Sequence, residues 1–220
     1  AGVVWRPPPA SALFPYAALV RSTPQTQSFQ KKQYGKLVTR GSDGLVILCT
    51  ESAPLTPIGK QAHEKGILLV TVDRGFIEPV ADIFLEGDNA AFGRKSAEFM
   101  VEKLGGKGNI VILEGVPSTV NTARVDAAKE IFAMHPDIKI VGQDSGKWNR
   151  AESLKVMQTM LVKAPKIDAV WASDDDMALG AEQAIVEAGR EQEMWILGGA
   201  GMKDIVARVM ENDPMFPADI

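Results

Sequence analysis

From Asn89 to Ile220 the apolar and polar positions repeat one unit four times: an amphipathic helix, a short turn, and a strand apolar almost throughout. The four strands read Asn109-Ile-Val-Ile-Leu113, Ile138-Lys-Ile-Val141, Asp168-Ala-Val-Trp-Ala-Ser173 and Met194-Trp-Ile-Leu-Gly198. Strands that do not alternate in and out are buried on both faces. Separated by helices of roughly 10–17 residues, they predict a parallel sheet with helices on each side. Such sheets bind ligands outside the carboxyl ends of their strands, so the residues just past those ends carry most of the functional information.

The helices show matching stripes. In Asp175–Gly189, Met177, Ala181, Ala184, Ile185 and Ala188 share one face, and Gly189 supplies a stop. Gly105-Gly106 does the same for the helix carrying Phe92, Phe99, Met100 and Leu104, while Leu154, Met157 and Leu161 stripe a helix starting near Asn149. Methionines at these spacings read as core filler.

Before Asn89 the rhythm is similar but incomplete. Gly44–Leu48 reads as a strand, Leu55–Lys65 as a helix, Ile67–Val72 as a strand and Ile83–Leu85 as a short strand. A new helix then begins with Asp88 or Asn89 as N-cap. A crossing between domains is expected near Glu86–Asp88, giving domains of residues 1–86 and 87–220. Ala1–Trp5 reads as a first strand, cut short by Pro7-Pro8-Pro9, and Gln27–Thr39 as a helix. Ala10–Thr26 is short for a full helix and a second strand with their connections. Phe216–Ile220 reads as the start of a further strand. The expectation is therefore an incomplete first domain.

Composition narrows the function classes. A formal charge of −4 argues against a nucleic-acid surface, where a clustered basic face is expected. No apolar run approaches the roughly 20 residues of a membrane-spanning helix. The single cysteine, Cys49, follows an apolar strand and reads as a core residue; it excludes an internal disulfide or a multi-cysteine metal site.

Past the strand ends lie Asp73 and Arg74, then Asn121, Thr122 and Arg124 on an opening helical turn, then Asp174-Asp175-Asp176, then Gly198-Gly-Ala-Gly201. Carboxylates accept, and guanidinium and amide groups donate, in the directional pairs that hydroxyl-rich ligands require. Each candidate also has a bland reading. Asp73-Arg74 reads equally as a surface ion pair. Arg124 reads as a solvated residue or a partner of Asp126, and Asn121 and Thr122 as helix caps. In the aspartate run, Asp174 is assigned to ligand and Asp175 or Asp176 to capping or hinge contacts. A calcium loop would need further spaced oxygen ligands that are missing.

Enzyme signatures fail in turn. Gly198-Gly-Ala-Gly201 is not GxGxxG, and neither a P-loop nor Gly-x-Ser-x-Gly occurs. The two histidines, His63 and His135, have no evident catalytic partner. No cofactor and no metal are expected.

Gly41-Ser-Asp-Gly-Leu-Val-Ile47, Gly66 through Val72-Asp-Arg74, Asp88-Asn89 with Gly93, Gly115 through Arg124, and above all Ala172-Ser-Asp-Asp-Asp-Met-Ala-Leu-Gly-Ala181 resemble the type I periplasmic sugar-binding proteins of ABC transporters, relatives of the LacI-type effector domains. The likeness runs from about Asp43 to Ile220. It implies an α/β fold of two Rossmann-like lobes with parallel sheets closing on a sugar, the first lobe incomplete in this chain. It also implies a periplasmic or lipid-anchored monomer that binds no nucleic acid and delivers a sugar or polyol to a membrane ABC permease. By position, Asp73 and Arg74 are implied as first-lobe contacts. Arg124 with Asn121 or Thr122, Asp174, and the Ala200 position are implied in the second lobe. Where the family usually carries a Gly-aromatic-Asp segment this chain has Gly198-Gly-Ala-Gly201, which loses a hydroxyl contact and gains space; polyols and modified sugars fit that change. Stacking would then come from Trp5, Phe14 or Trp148. Arg74 and Arg124 together leave a sugar acid as a second ligand class. The alternative function is the effector domain of a LacI-type regulator, although nothing in residues 1–40 resembles a helix-turn-helix.

Overall fold

The computed structural model describes residues 17–20 and 27–220. They form β1 (Ala17–Val20), α1 (Gln27–Thr39), β2 (Gly44–Ile47), α2 (Ser52–Glu64), β3 (Leu68–Val72), β4 (Ile83–Leu85), α3 (Asn89–Lys103), β5 (Gly108–Glu114), α4 (Thr119–Ala133), β6 (Ile138–Ser145), α5 (Arg150–Lys163), β7 (Ala169–Ala172), α6 (Asp175–Glu187), β8 (Trp195–Leu197) and α7 (Lys203–Met210). The strand expected at Ala1–Trp5, and Trp5 and Phe14 with it, lie outside the described residues.

The chain divides into two compact units, residues 1–87 with 117–120, and residues 88–116 with 121–220. The first holds a parallel sheet in the order β1-β2-β3-β4. Its core gathers Tyr34, Leu45, Ile47, Leu55 and Leu69 between α1, α2 and the sheet, with Cys49 fully buried among them. Burial pushes the Cys49 thiol up to about 12, so it stays a neutral, unreactive core group. Helix α2 starts at Ser52, three residues before the expected Leu55. Pro54 suggests a break but falls in the first turn, where a backbone N–H has no helical partner to lose.

The second unit holds a parallel sheet in the order β6-β5-β7-β8. β5, β7 and β8 are largely buried, as their composition predicts. β6, an edge strand, keeps Ile138 buried but leaves Lys139, Ile140 and Val141 exposed, because no further strand covers its outer side. From β5, Val111 and Leu113 join the core beneath α5, α6 and α7, while Ile110 and Ile112 join the core beneath α3 and α4. In β7, Val170 and Ala172 face the first core and Ala169 and Trp171 the second. All four strands differ from expectation at their ends: β5 is one residue longer at each end, β7 and β8 are one residue shorter at each end, and β6 runs on to Ser145. The polar extension Gly142–Ser145 carries no apolar signal, yet its backbone pairs with Val111–Glu114 of β5. Backbone hydrogen bonding extends an edge strand beyond the residues that burial alone would select.

The strand order reverses between β5 and β7. From β5 the chain steps outward to β6, then crosses back to β7 on the other side. The carboxyl ends of β5 and β7 therefore flank the topological switch point, where open α/β sheets form their ligand crevice.

Candidate functional site

In the second unit the switch point brings together Arg124 from α4, Asp174 after β7, Asn89 and Phe92 from the first turn of α3, and Trp148 before α5. Arg124 is fixed in several directions. Its Nε donates to Asn89 Oδ1 at 3.0 Å and its Nη1 to the Ser173 carbonyl at 2.6 Å. Its guanidinium carbon lies 4.0 Å from the centre of the Phe92 ring and 5.8 Å from that of Trp148. The solvated face and the pairing with Asp126 are thus both replaced by a built guanidinium site. Asn89 enters the site because Asp88 takes the capping role, accepting from the Ala91 amide at 2.8 Å.

Asp174 caps α6, its Oδ1 accepting from the Met177 amide at 2.8 Å. Burial pushes its carboxyl up to about 6; the Met177 amide opposes this, Asp176 and Asp175 add to it, and nearby Arg124 counters it. The capping expected of Asp175 or Asp176 thus falls to Asp174. Asp176 pairs with Arg150 at 2.9 Å. Asp175, only 1% exposed, braces the loop after β8, its two oxygens accepting from the Gly199 and Met202 amides at 2.7 Å each. Asp219 hydrogen-bonds to Asp175, and burial together with that charge pushes its carboxyl up to about 6.

The remaining second-unit candidates separate. Ala200 is exposed on the braced loop and holds φ at 110°, in the left-handed region that favours glycine. Asn121 turns its amide inward, its Oδ1 accepting from the Gly115 amide at 2.7 Å and its Nδ2 donating to Glu114 Oε2 at 3.1 Å, so it holds the end of β5. Thr122 is exposed. Neither caps the helix, because α4 begins at Thr119. Of the three aromatic candidates, Trp148 is described. It holds φ at 55°, beside Lys147 at 58°, and its ring covers Gly115, where a Cβ would lie 1.8 Å from Cε2.

In the first unit, Asp73 and Arg74 follow β3 directly. They form an ion pair at 3.4 Å with Asp73 half-exposed, and Arg74 Nη1 donates to the Thr50 carbonyl at 3.2 Å. Asp73 has φ of 65°, and its amide donates to Leu85 of β4 at 2.8 Å. A non-glycine residue held in this region at a strand end is the kind of local strain that accompanies binding sites. Among the described residues, no group of three or more histidine, cysteine or carboxylate side chains is arranged to hold a metal ion.

Residues 10–216 match the periplasmic binding protein domain. The chain belongs to that family. A xylitol-binding protein of Mycolicibacterium smegmatis is 34% identical over 84% of this chain and 54% of its own length. A ribose import binding protein of Bacillus subtilis is 30% identical over 84% of this chain and 60% of its own. The solved fructose-binding periplasmic domain of a hybrid two-component system is 36% identical and superposes with a TM-score of 0.79, over 83% of this chain and 61% of that one. The chain thus spans between one half and two thirds of the length of these periplasmic binding proteins, and its parallel sheets follow the type I fold.

The Asp174 carboxyl permits a check on the site's electrostatics. Its native pKa lies above the ordinary carboxylate value, so between that value and about pH 6 the native state holds a proton that the unfolded chain has lost. Stability from this group therefore falls as pH rises through that window. Asparagine caps as well as aspartate and carries no charge. Asp174→Asn should melt with the wild type near pH 4 and above it at pH 7.5, read by differential scanning fluorimetry. A variant less stable at pH 7.5 would show that the ionised carboxylate is a net stabiliser.

Proposed function

We propose that this chain is the ligand-binding part of a solute-binding protein that captures a neutral sugar or polyol and delivers it to a membrane ABC permease. The observation that carries the reading is the oriented guanidinium of Arg124 beside the Asp174 carboxyl at the β5/β7 switch point. One planar donor set and one acceptor, each held by hydrogen bonds within the protein, suit a ligand whose every hydroxyl donates and accepts. The names of the similar proteins, for xylitol, ribose and fructose, support the ligand class.

The proposed contacts are Arg124 and Asp174 with the Ala200 loop from residues 87–220, and Asp73 and Arg74 from residues 1–86. Asn121 braces the end of β5 behind Arg124, and Thr122 lies on the same helical turn. A ligand that touches both sets favours the arrangement of the protein in which both reach it, which is the basis of capture by closure. A carboxylate stands beside each arginine, Asp73 by Arg74 and Asp174 by Arg124. That charge balance favours a neutral ligand over a sugar acid. The protein is proposed to act as a monomer outside the cytoplasmic membrane, periplasmic or lipid-anchored, and to be a binder rather than a catalyst. No helix of the described residues is long and apolar enough to cross a membrane.

The test is a thermal-shift panel of xylitol, D-ribose, D-fructose and sugar acids on the purified protein. A ligand at roughly 100 times its dissociation constant stabilises by about 2.7 kcal/mol, a shift of several degrees. A response to a neutral sugar or polyol is the expected result. A response to sugar acids alone would transfer the proposal to a carboxylate held by the two arginines, and no response at millimolar ligand would overturn it.

A further inference from the structure

Three residues on the first turns of α3 converge on Arg124. At Gly93 an added Cβ would lie 2.0 Å from the Arg124 carbonyl oxygen, so the backbones of α3 and α4 touch there. Asn89 accepts from Arg124 Nε in the plane of the guanidinium. Phe92, three residues on and hence on the same helix face, presents its ring 4.0 Å from the guanidinium carbon. The ring is held in turn by the loop after β8. At Gly199 an added Cβ would lie 2.4 Å from Phe92 Cζ and 2.8 Å from the Ile220 carbonyl oxygen, so even alanine at this position would press on both the ring and that backbone.

Asn89 and the Ser173 carbonyl fix the in-plane position of the guanidinium; an aromatic face fixes its tilt. Hydrogen bonds weaken steeply as their donor angle closes, so the tilt decides how well the planar donors meet a ligand oxygen. Phe92 is half-buried at the margin of the α3/α4 core, and any apolar side chain of similar volume would serve packing alone.

We propose that Phe92 is a positioning residue for ligand recognition: wedged between Gly199 and Arg124, its ring sets the plane in which the guanidinium meets the ligand. This rests on the reading of Arg124 as a ligand contact.

Isothermal titration of the purified protein with xylitol, D-ribose and D-fructose tests it. Phe92→Leu keeps apolar bulk against Gly199 but removes the ring face. It should weaken the probe that binds the wild type by roughly tenfold, with the melting temperature little changed. Arg124→Lys has no plane to orient, so in that background Phe92→Leu should change affinity by less than about twofold. Gly199→Ala, which leaves Phe92 in the chain but crowds its ring as well as the Ile220 carbonyl, should weaken binding in the wild type and do so by a smaller factor beside Phe92→Leu.

Equal losses from Phe92→Leu in both arginine backgrounds would overturn the inference, because Phe92 would then act independently of Arg124. Unchanged affinity in Phe92→Leu and Gly199→Ala, with Arg124→Lys weakened, would overturn it while the ligand reading stood. Unchanged affinity in Arg124→Lys, or no binding of any probe by the wild type, would remove the ligand reading and the inference with it.

Discussion

Arg124→Ala should weaken sugar or polyol binding by about 1.5–3 kcal/mol, roughly ten- to more than a hundredfold in dissociation constant. The magnitude is that of hydrogen bonds made by a charged group, and Arg124 supplies a planar set of donors already aligned by Asn89, Ser173 and Phe92. Two consequences must be kept apart. Alanine also removes the Arg124 hydrogen bonds to Asn89 Oδ1 and the Ser173 carbonyl, so some loss of stability accompanies the loss of affinity. Arg124→Lys separates them, retaining the charge but not the fork of donors. The expected order of affinity is wild type, then lysine, then alanine, measured by titration calorimetry at a temperature where all three are folded. Wild-type affinity in Arg124→Ala, and in Asp174→Ala beside it, would remove the second-unit site.

Asp175→Ala is expected to give the largest loss of stability, about 2–4 kcal/mol. Asp175 is buried and accepts from two backbone amides of one loop, Gly199 and Met202. Alanine removes the acceptor of both amides and one hydrogen-bond partner of Asp219, which also accepts from the Gly201 and Ile220 amides. A fall in the urea midpoint with an unchanged slope would show the loss, and faster hydrogen exchange at the Gly199 and Met202 amides would place it in this loop. Because the loop presses on Phe92, ligand affinity should fall as well. A wild-type urea midpoint would show that the loop holds its shape without the carboxylate.

Local pattern determined much of this protein. The parallel sheet of the second unit was legible because β5 and β7 carry apolar side chains on both faces, and only a doubly covered sheet buries both. The helices were legible where a stripe ended at a local stop or began at a side-chain cap, as at Asn149, whose carboxamide accepts from the Glu152 amide. The chemistry of the site was legible as residue types past strand ends, since chain order alone puts Arg124 after β5 and Asp174 after β7.

The tertiary structure decided how those residues divide their work. Three consecutive aspartates are indistinguishable by composition, yet Asp174 caps α6, Asp175 braces the loop after β8 and Asp176 pairs with Arg150. Asn121 belongs by pattern with Arg124 but turns inward to hold Gly115. Phe92 belongs by pattern to the core stripe of α3, and only the approach of Gly199 and Arg124 makes its ring part of the site. The physical reason is common to all three. Periodicity records which side of an element is buried, because burial follows from neighbours a few residues away in the chain. Which group a buried polar or aromatic side chain meets depends on residues up to about a hundred positions away, such as Phe92 and Gly199, brought together when the sheet and its helices pack.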